Sequence, residues 1–151
     1  MKVLITSLVI CLVTGGLFLI PQQKVPPNIL KAFTERFPDI KASNWENEGN
    51  GTWEAEFKIR KLEYSVLFDQ NGRWLETEHA IQKSEVPRQV LLALAQAFPE
   101  HEVEEMESLE TPDGQRYEFE LENGAMKLEV LMDEQGSILK KESGEEEDEN
   151  D

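Results

Sequence analysis

Cysteine is almost missing from this chain: Cys11 is the single one among 151 residues. One thiol can build neither a disulfide framework nor a cysteine-based zinc site. Basic residues are scarce as well, 15 Lys and Arg against 31 Asp and Glu, giving a formal net charge of −16. Nucleic-acid phosphates and anionic lipid headgroups would both repel that excess. Histidine occurs only at His79 and His101, and neither has a partner at metal-ligand spacing such as i+4. A catalytic base needs an acid or nucleophile beside it, and no such pairing is visible. A Gly-rich phosphate loop, a G-x-S-x-G elbow and an H-E-x-x-H helix are also lacking. The expectation is a protein without catalytic residues, metal site or cofactor, with both histidines on the surface.

What is present is globular in balance, 39% hydrophobic and 30% charged, at a length for one ordinary domain or two very small ones. The first twenty residues stand apart. After Lys2, Val3–Ile20 has no charged or amide side chain, and polar sequence begins at Pro21-Gln22-Gln23-Lys24. A basic residue before an apolar run is the pattern of a secretory signal. The small-residue site is imperfect, with Thr14-Gly15-Gly16 the nearest match. As a helix the run would span roughly 27 Å, enough for a thin bilayer. Two readings of residues 1–21 therefore stay open, a signal peptide and an uncleaved membrane anchor through residues 3–20. Both predict export to a periplasmic or secreted location, with membrane contact only through this segment. Cys11 lies inside it, so a cleaved chain would be cysteine-free, which suits an oxidising compartment.

The remainder repeats itself. At an offset of 61, Val25-Pro26 falls on Val86-Pro87, Ile29 on Val90, Phe33 on Leu94 and Phe37-Pro38 on Phe98-Pro99. At an offset of 64, Trp53-Glu54-Ala55-Glu56-Phe57 meets Tyr117-Glu118-Phe119-Glu120-Leu121, and Val66-Leu67-Phe68-Asp69 meets Val130-Leu131-Met132-Asp133. Ile29, Leu30, Phe33 and Phe37 recur at helical spacing, as do Val90, Leu91, Leu94 and Phe98. Pro26 and Pro87 suit a first helical turn, and Pro38 and Pro99 end the helices. Strict alternation follows, with Asn50-Gly51, Asn71-Gly72, Asp113-Gly114 and Asn123-Gly124 as hairpin signals. The predicted organisation is residues 22–81 as one unit, 82–141 as a second and 142–151 as an acidic, disordered tail. The fold class is α+β: a tandem duplication of a helix plus a four-stranded antiparallel meander. A stretch of about 60 residues has a marginal core. One eight-stranded sheet, with both helices on its apolar face and solvent on the other, is therefore expected.

These landmarks resemble the PepSY-like family, exported bacterial proteins described as β-lactamase-inhibitor-like. They are Val-Pro, a helix ending Phe-Pro, a Trp-Glu strand, a Trp/Tyr-Glu-x-Glu-Phe/Leu strand and a Val-Leu-Phe/Met-Asp-x-x-Gly turn, recurring from Val25 to Glu142. The resemblance implies an exported α+β protein of tandem units with no catalytic residues. By analogy with related domains it suggests inhibition of a peptidase or similar enzyme.

Three further features carry expectations. Asp69-Gln70-Asn71-Gly72 with Glu76 invites a calcium reading, but its glycine is fourth and its carboxylate eighth, outside the EF-hand register. It reads instead as a hairpin turn. The charge is uneven: Val86–Lys141 holds 13 acids and 5 bases, whereas Val25–Ile81 holds 10 and 7. Finally, Leu67, Trp74, Leu131 and Ile138 break the alternation, which would place four apolar side chains on the glutamate-bearing face. They are the candidate partner-binding patch, unless a strand bulge returns them to the core. The resulting expectation is a non-catalytic envelope module that binds or inhibits another envelope protein or peptide. The alternative is a cation-responsive or structural envelope protein whose acidic surface binds Ca2+ weakly.

Overall fold

The structure, a computed structural model, describes residues 24–144. The apolar segment Val3–Ile20 and residues 145–151 lie outside the described residues, whereas Glu142, Ser143 and Gly144, expected to begin the acidic tail, are instead paired in the last strand of the sheet. Helix α1 spans Pro27–Arg36 and helix α2 spans Arg88–Ala97. Pro26 and Pro87 sit at the N-caps, one step earlier than the expected first turn. A proline there removes no helical hydrogen bond and pre-sets the entry. Each helix closes on a phenylalanine whose N–H reaches back one turn, Phe37 to the Phe33 carbonyl (2.8 Å) and Phe98 to that of Leu94 (2.9 Å). The proline that follows each then prevents continuation.

Eight strands follow the alternation: β1 (Asn44–Gly49), β2 (Thr52–Ile59), β3 (Leu62–Phe68), β4 (Trp74–Ala80), β5 (Glu102–Thr111), β6 (Gly114–Asn123), β7 (Met126–Asp133) and β8 (Ile138–Gly144). They form one eight-stranded antiparallel sheet in sequence order, so the chain is α+β. Asn50 and Gly51 both take positive φ at the β1–β2 turn, as that dipeptide predicts. The β2–β3 turn is different, because Arg60 (φ 50) and Lys61 (φ 76) adopt the left-handed region without glycine or asparagine. Pairing of Ile59 with Leu62 demands a two-residue loop there, and such loops need positive φ whatever the residues.

Two apolar clusters form the core. Ile29 and Phe33 of α1 pack with Trp53, Ala55, Phe57, Val66 and Phe68. Val90 and Leu94 of α2 pack with Tyr117, Phe119, Leu121, Val130 and Met132. Burying each Val, Ile, Leu, Phe or Met side chain among them contributes roughly 1.5–3 kcal/mol. The register links the clusters, since Val66 pairs with Thr77, His79 with Ser108, Ser108 with Tyr117 and Met106 with Phe119. A short 3₁₀ turn, Lys83–Glu85, joins the halves, held by the Gln82 N–H on Glu85 Oε2 (2.8 Å). Arg36 also spans them: its guanidinium lies 3.5 Å from the centre of the Trp74 ring and pairs with Glu110 at 3.1 Å.

Local details occur twice. Asp69 Oδ1 accepts the N–H groups of Asn71 and Arg73, and Asp133 Oδ1 accepts those of Gln135 and Ser137. Asn28 donates to the Gln70 carbonyl, and Gln89 donates to that of Glu134. Gly72 and Gly136, at φ +81 and +85, each lie against a helix backbone, so that a Cβ would meet Asn28 O at 3.0 Å or Ala93 Cβ at 2.9 Å. Both glycines are required by conformation and by space.

Candidate functional site

The sheet face away from these clusters carries the glutamates. The register from β2 to β6 places Glu54, Glu56, Glu76, Glu78, Glu107 and Glu118 there. Solvent was expected to cover this face, but the centre of it is buried. Glu54 is only 3% exposed and Glu76 5%, while Leu109 and Leu131 beside them are 1% and 4% exposed. Central strands have neighbours on both sides, and their long side chains shield one another. Glu107 lies directly opposite Glu118.

Burial sets the protonation of this band. Desolvation pushes the Glu78 carboxyl up to about 9, with Glu107 and Glu76 adding repulsion. Glu54 and Glu107 rise to about 7, again through desolvation first and with neighbouring glutamates adding to it. The Ser65 hydroxyl donates to Glu54 Oε1, which favours the anion but does not offset burial. Glu76 rises less, to about 6, because Arg116 and Lys140 act against desolvation and Glu118. A cleft of 420 Å³ opens beside the band, past the end of the β3–β4 pairing at Ser65 and Glu78. Glu56, Ser65, Glu78 and Glu107 line it together with Tyr64 and His79. At the other end of the face Glu46, Glu48 and Glu54 bring three carboxylate oxygens within 4.8 Å of one another. Glu48 Oε1 is buried there without a hydrogen-bond partner.

Both histidines depart from the surface placement expected of them. His79 stacks on Tyr64 at 4.6 Å between ring centres, and burial lowers its basicity. His101 meets Phe98 edge-on at 5.7 Å, with Nδ1 buried and unpartnered. Each is half-buried because an aromatic residue of the first or second cluster lies against it. The Asp69 and Asp133 loops are hairpin turns whose carboxylates are occupied by backbone N–H groups.

The structure does not bring the four patch residues together. Bulges at the register shifts within β3–β4 and β7–β8 leave Trp74 opposite Phe68 and Ile138 opposite Met132. That returns both to the side of the apolar clusters, the outcome a strand bulge produces. Leu67 pairs with Glu54 and Glu76, and Leu131 with Glu118 and Lys140, so these two stay on the glutamate face. Trp74 packs on the first cluster, under Arg36, and donates its Nε1–H to Thr77 Oγ1 (2.9 Å). Trp74→Ala is therefore expected to cost about 2 kcal/mol in urea denaturation. An unchanged midpoint would remove this ring from the packing. Alternation alone reports neither the bulges nor the buried glutamates. The available signal for the bulges is the extra residue, Leu75 or Leu139, between each glycine turn and the next alternating run.

Comparison with known proteins gives one family match: the model described as "Putative beta-lactamase-inhibitor-like, PepSY-like" covers residues 51–140. No curated protein matches the chain. Similar solved structures include a DUF2874 family protein from Bacteroides uniformis, with 18% identity over 80% of this chain and 90% of that one and a TM-score of 0.71. A DUF2874 family protein from Bacteroides ovatus has 19% identity over 80% and 89%, at a TM-score of 0.69. A BLIP-like protein from Bacteroides fragilis has 25% identity over 85% and 94%, at a TM-score of 0.68.

Proposed function

This chain belongs to the PepSY-like family, and on that premise we propose that it is an exported, non-catalytic binding module of the bacterial envelope. It holds or inhibits another envelope protein such as a peptidase. The observation that carries the reading is the match in both fold and sequence to a BLIP-like protein across 85% of the chain. Lys2 and the apolar run Val3–Ile20 support export. The twice-occurring aspartate turns, helix-to-turn bonds and glycine approaches support a tandem duplication. The continuous register supports both helices lying on one side of the sheet. Affinity capture from an envelope fraction, with the chain from Gln22 onward as bait, tests the function. One protein retained in near-stoichiometric amount, and slowed in its own activity, is the expected result. Retention no better than on an unrelated bait of equal charge would overturn it.

A second reading, weak Ca2+ binding by an envelope protein, is favoured by the convergence of Glu46, Glu48 and Glu54. Millimolar calcium should then raise the melting temperature and release heat on titration; the absence of both effects would remove this reading.

A further inference from the structure

The glutamate face is short of internal cations where it is most buried. Lys58 pairs with Glu63, and Lys140 with Glu142, while Arg116 and Lys140 act on Glu76. At Glu54, Glu78 and Glu107, every neighbouring charge that acts is another glutamate. Like charges side by side on a sheet are unfavourable, and a buried carboxylate without a counter-cation is more so. A cation from another molecule would remove that penalty. The cleft has room for one: carboxylates of Glu56, Glu78 and Glu107 line it with the rings of Tyr64 and His79 and the Leu62 side chain. Its two lysines, Lys58 (paired with Glu63) and Lys61, are outnumbered by its five glutamates. Carboxylates suit a charged head, and rings and an aliphatic side chain suit a long apolar stem. That combination fits lysine or arginine better than a hydrated metal ion.

We propose that the glutamate face is the docking surface for a basic protein partner, which places a lysine or arginine side chain in the cleft between Glu56, Glu78 and Glu107. The proposal rests on reading the chain as a protein-binding module, and adds the face used and the charge of the partner. Glutamates held protonated in the free protein must ionise as the cation enters, so docking releases protons.

A deca-lysine peptide serves as the probe of the full chain, by calorimetry at pH 7 in buffers of different ionisation heat and by amide NMR shifts. The expected result is proton release, with shifts concentrated at residues 54–56, 76–80 and 105–109. The double variant E78Q/E107Q should weaken binding about tenfold, whereas E35Q/E100Q, removing two carboxylates elsewhere, should change it less than twofold. Equal weakening by both pairs, or shifts confined to residues 145–151, would overturn the proposal. The wild-type shift map decides the matter even if a variant folds poorly. An envelope partner held equally well by E78Q/E107Q would remove the face and leave the binding module standing. Failure of any envelope protein to be captured, with deca-lysine still mapping to the cleft, would do the reverse.

Discussion

Raising the pH from about 5 to about 9 is expected to lower the thermal midpoint of this protein by roughly 10 °C. The direction follows from the buried glutamates. In the unfolded chain they ionise near the ordinary 4.5, but in the fold Glu76 holds its proton to about 6, Glu54 and Glu107 to about 7, and Glu78 to about 9. Across that window the native state binds more protons than the unfolded one, so stability falls as pH rises. The contribution is complete below about 4.5 and is lost on passing through the folded values. Its size is several kcal/mol, because a tenfold change in proton affinity corresponds to about 1.4 kcal/mol and the four groups repel one another once charged. Glu78→Gln keeps the shape and cannot ionise. It should melt higher than wild type at pH 8 and show a flatter pH dependence. A wild-type midpoint that holds steady or climbs between pH 5 and 9, followed calorimetrically, would show that these carboxylates are charged in the fold without penalty.

Phe119→Ala should cost about 3–5 kcal/mol, and the loss should be felt at the other end of the molecule. Phe119 is fully buried with Val90, Leu94 and Val130 in the second cluster. All three tryptophans, Trp45, Trp53 and Trp74, lie in the first half. The halves are joined by four pairs between β4 and β5, from Thr77 with Glu110 to Ala80 with Glu107. The Ile81 N–H on the Met106 carbonyl (2.9 Å) and the Arg36–Glu110 pair add to the joint. Continuous pairing of this kind couples the clusters into one cooperative whole. Tryptophan fluorescence and far-UV circular dichroism should therefore move together in denaturant, to the same lower midpoint. The milder Phe119→Leu should move both by about 1 kcal/mol. Fluorescence staying at the wild-type midpoint while the dichroism splits into two steps would mean two independently folding halves.

Much of the fold is legible because local rules write it. Ile29, Phe33, Val90 and Leu94 recur at helical spacing, and all four are buried. Trp53, Ala55 and Phe57 alternate with glutamates, as do Tyr117, Phe119 and Leu121, and all six apolar residues are buried. Asn50-Gly51 makes its turn, whereas Arg60-Lys61 gives no sign of theirs, since no preferred turn residue marks it. The functional surface is harder to read. Leu67 and Leu131 break the core alternation and do lie on the glutamate face, but Trp74 and Ile138 lie on the opposite side from the one their spacing predicts. A single bulged residue reverses the side of everything beyond it, and strand period alone does not announce one.

The sequence by itself determined the helix spacing, the strand alternation, the aspartate-glycine turns, the repeat and the acidic excess. These depend on backbone dihedrals and on the order of residues within a short span. Only the tertiary structure decided which glutamates are buried, which cations reach them, and that Trp74 lies beneath Arg36. Burial and charge pairing belong to neighbours across strands, and cross-strand register is a property of the assembled sheet. Composition therefore counts the carboxylates, whereas the sheet decides which of them hold their protons more tightly.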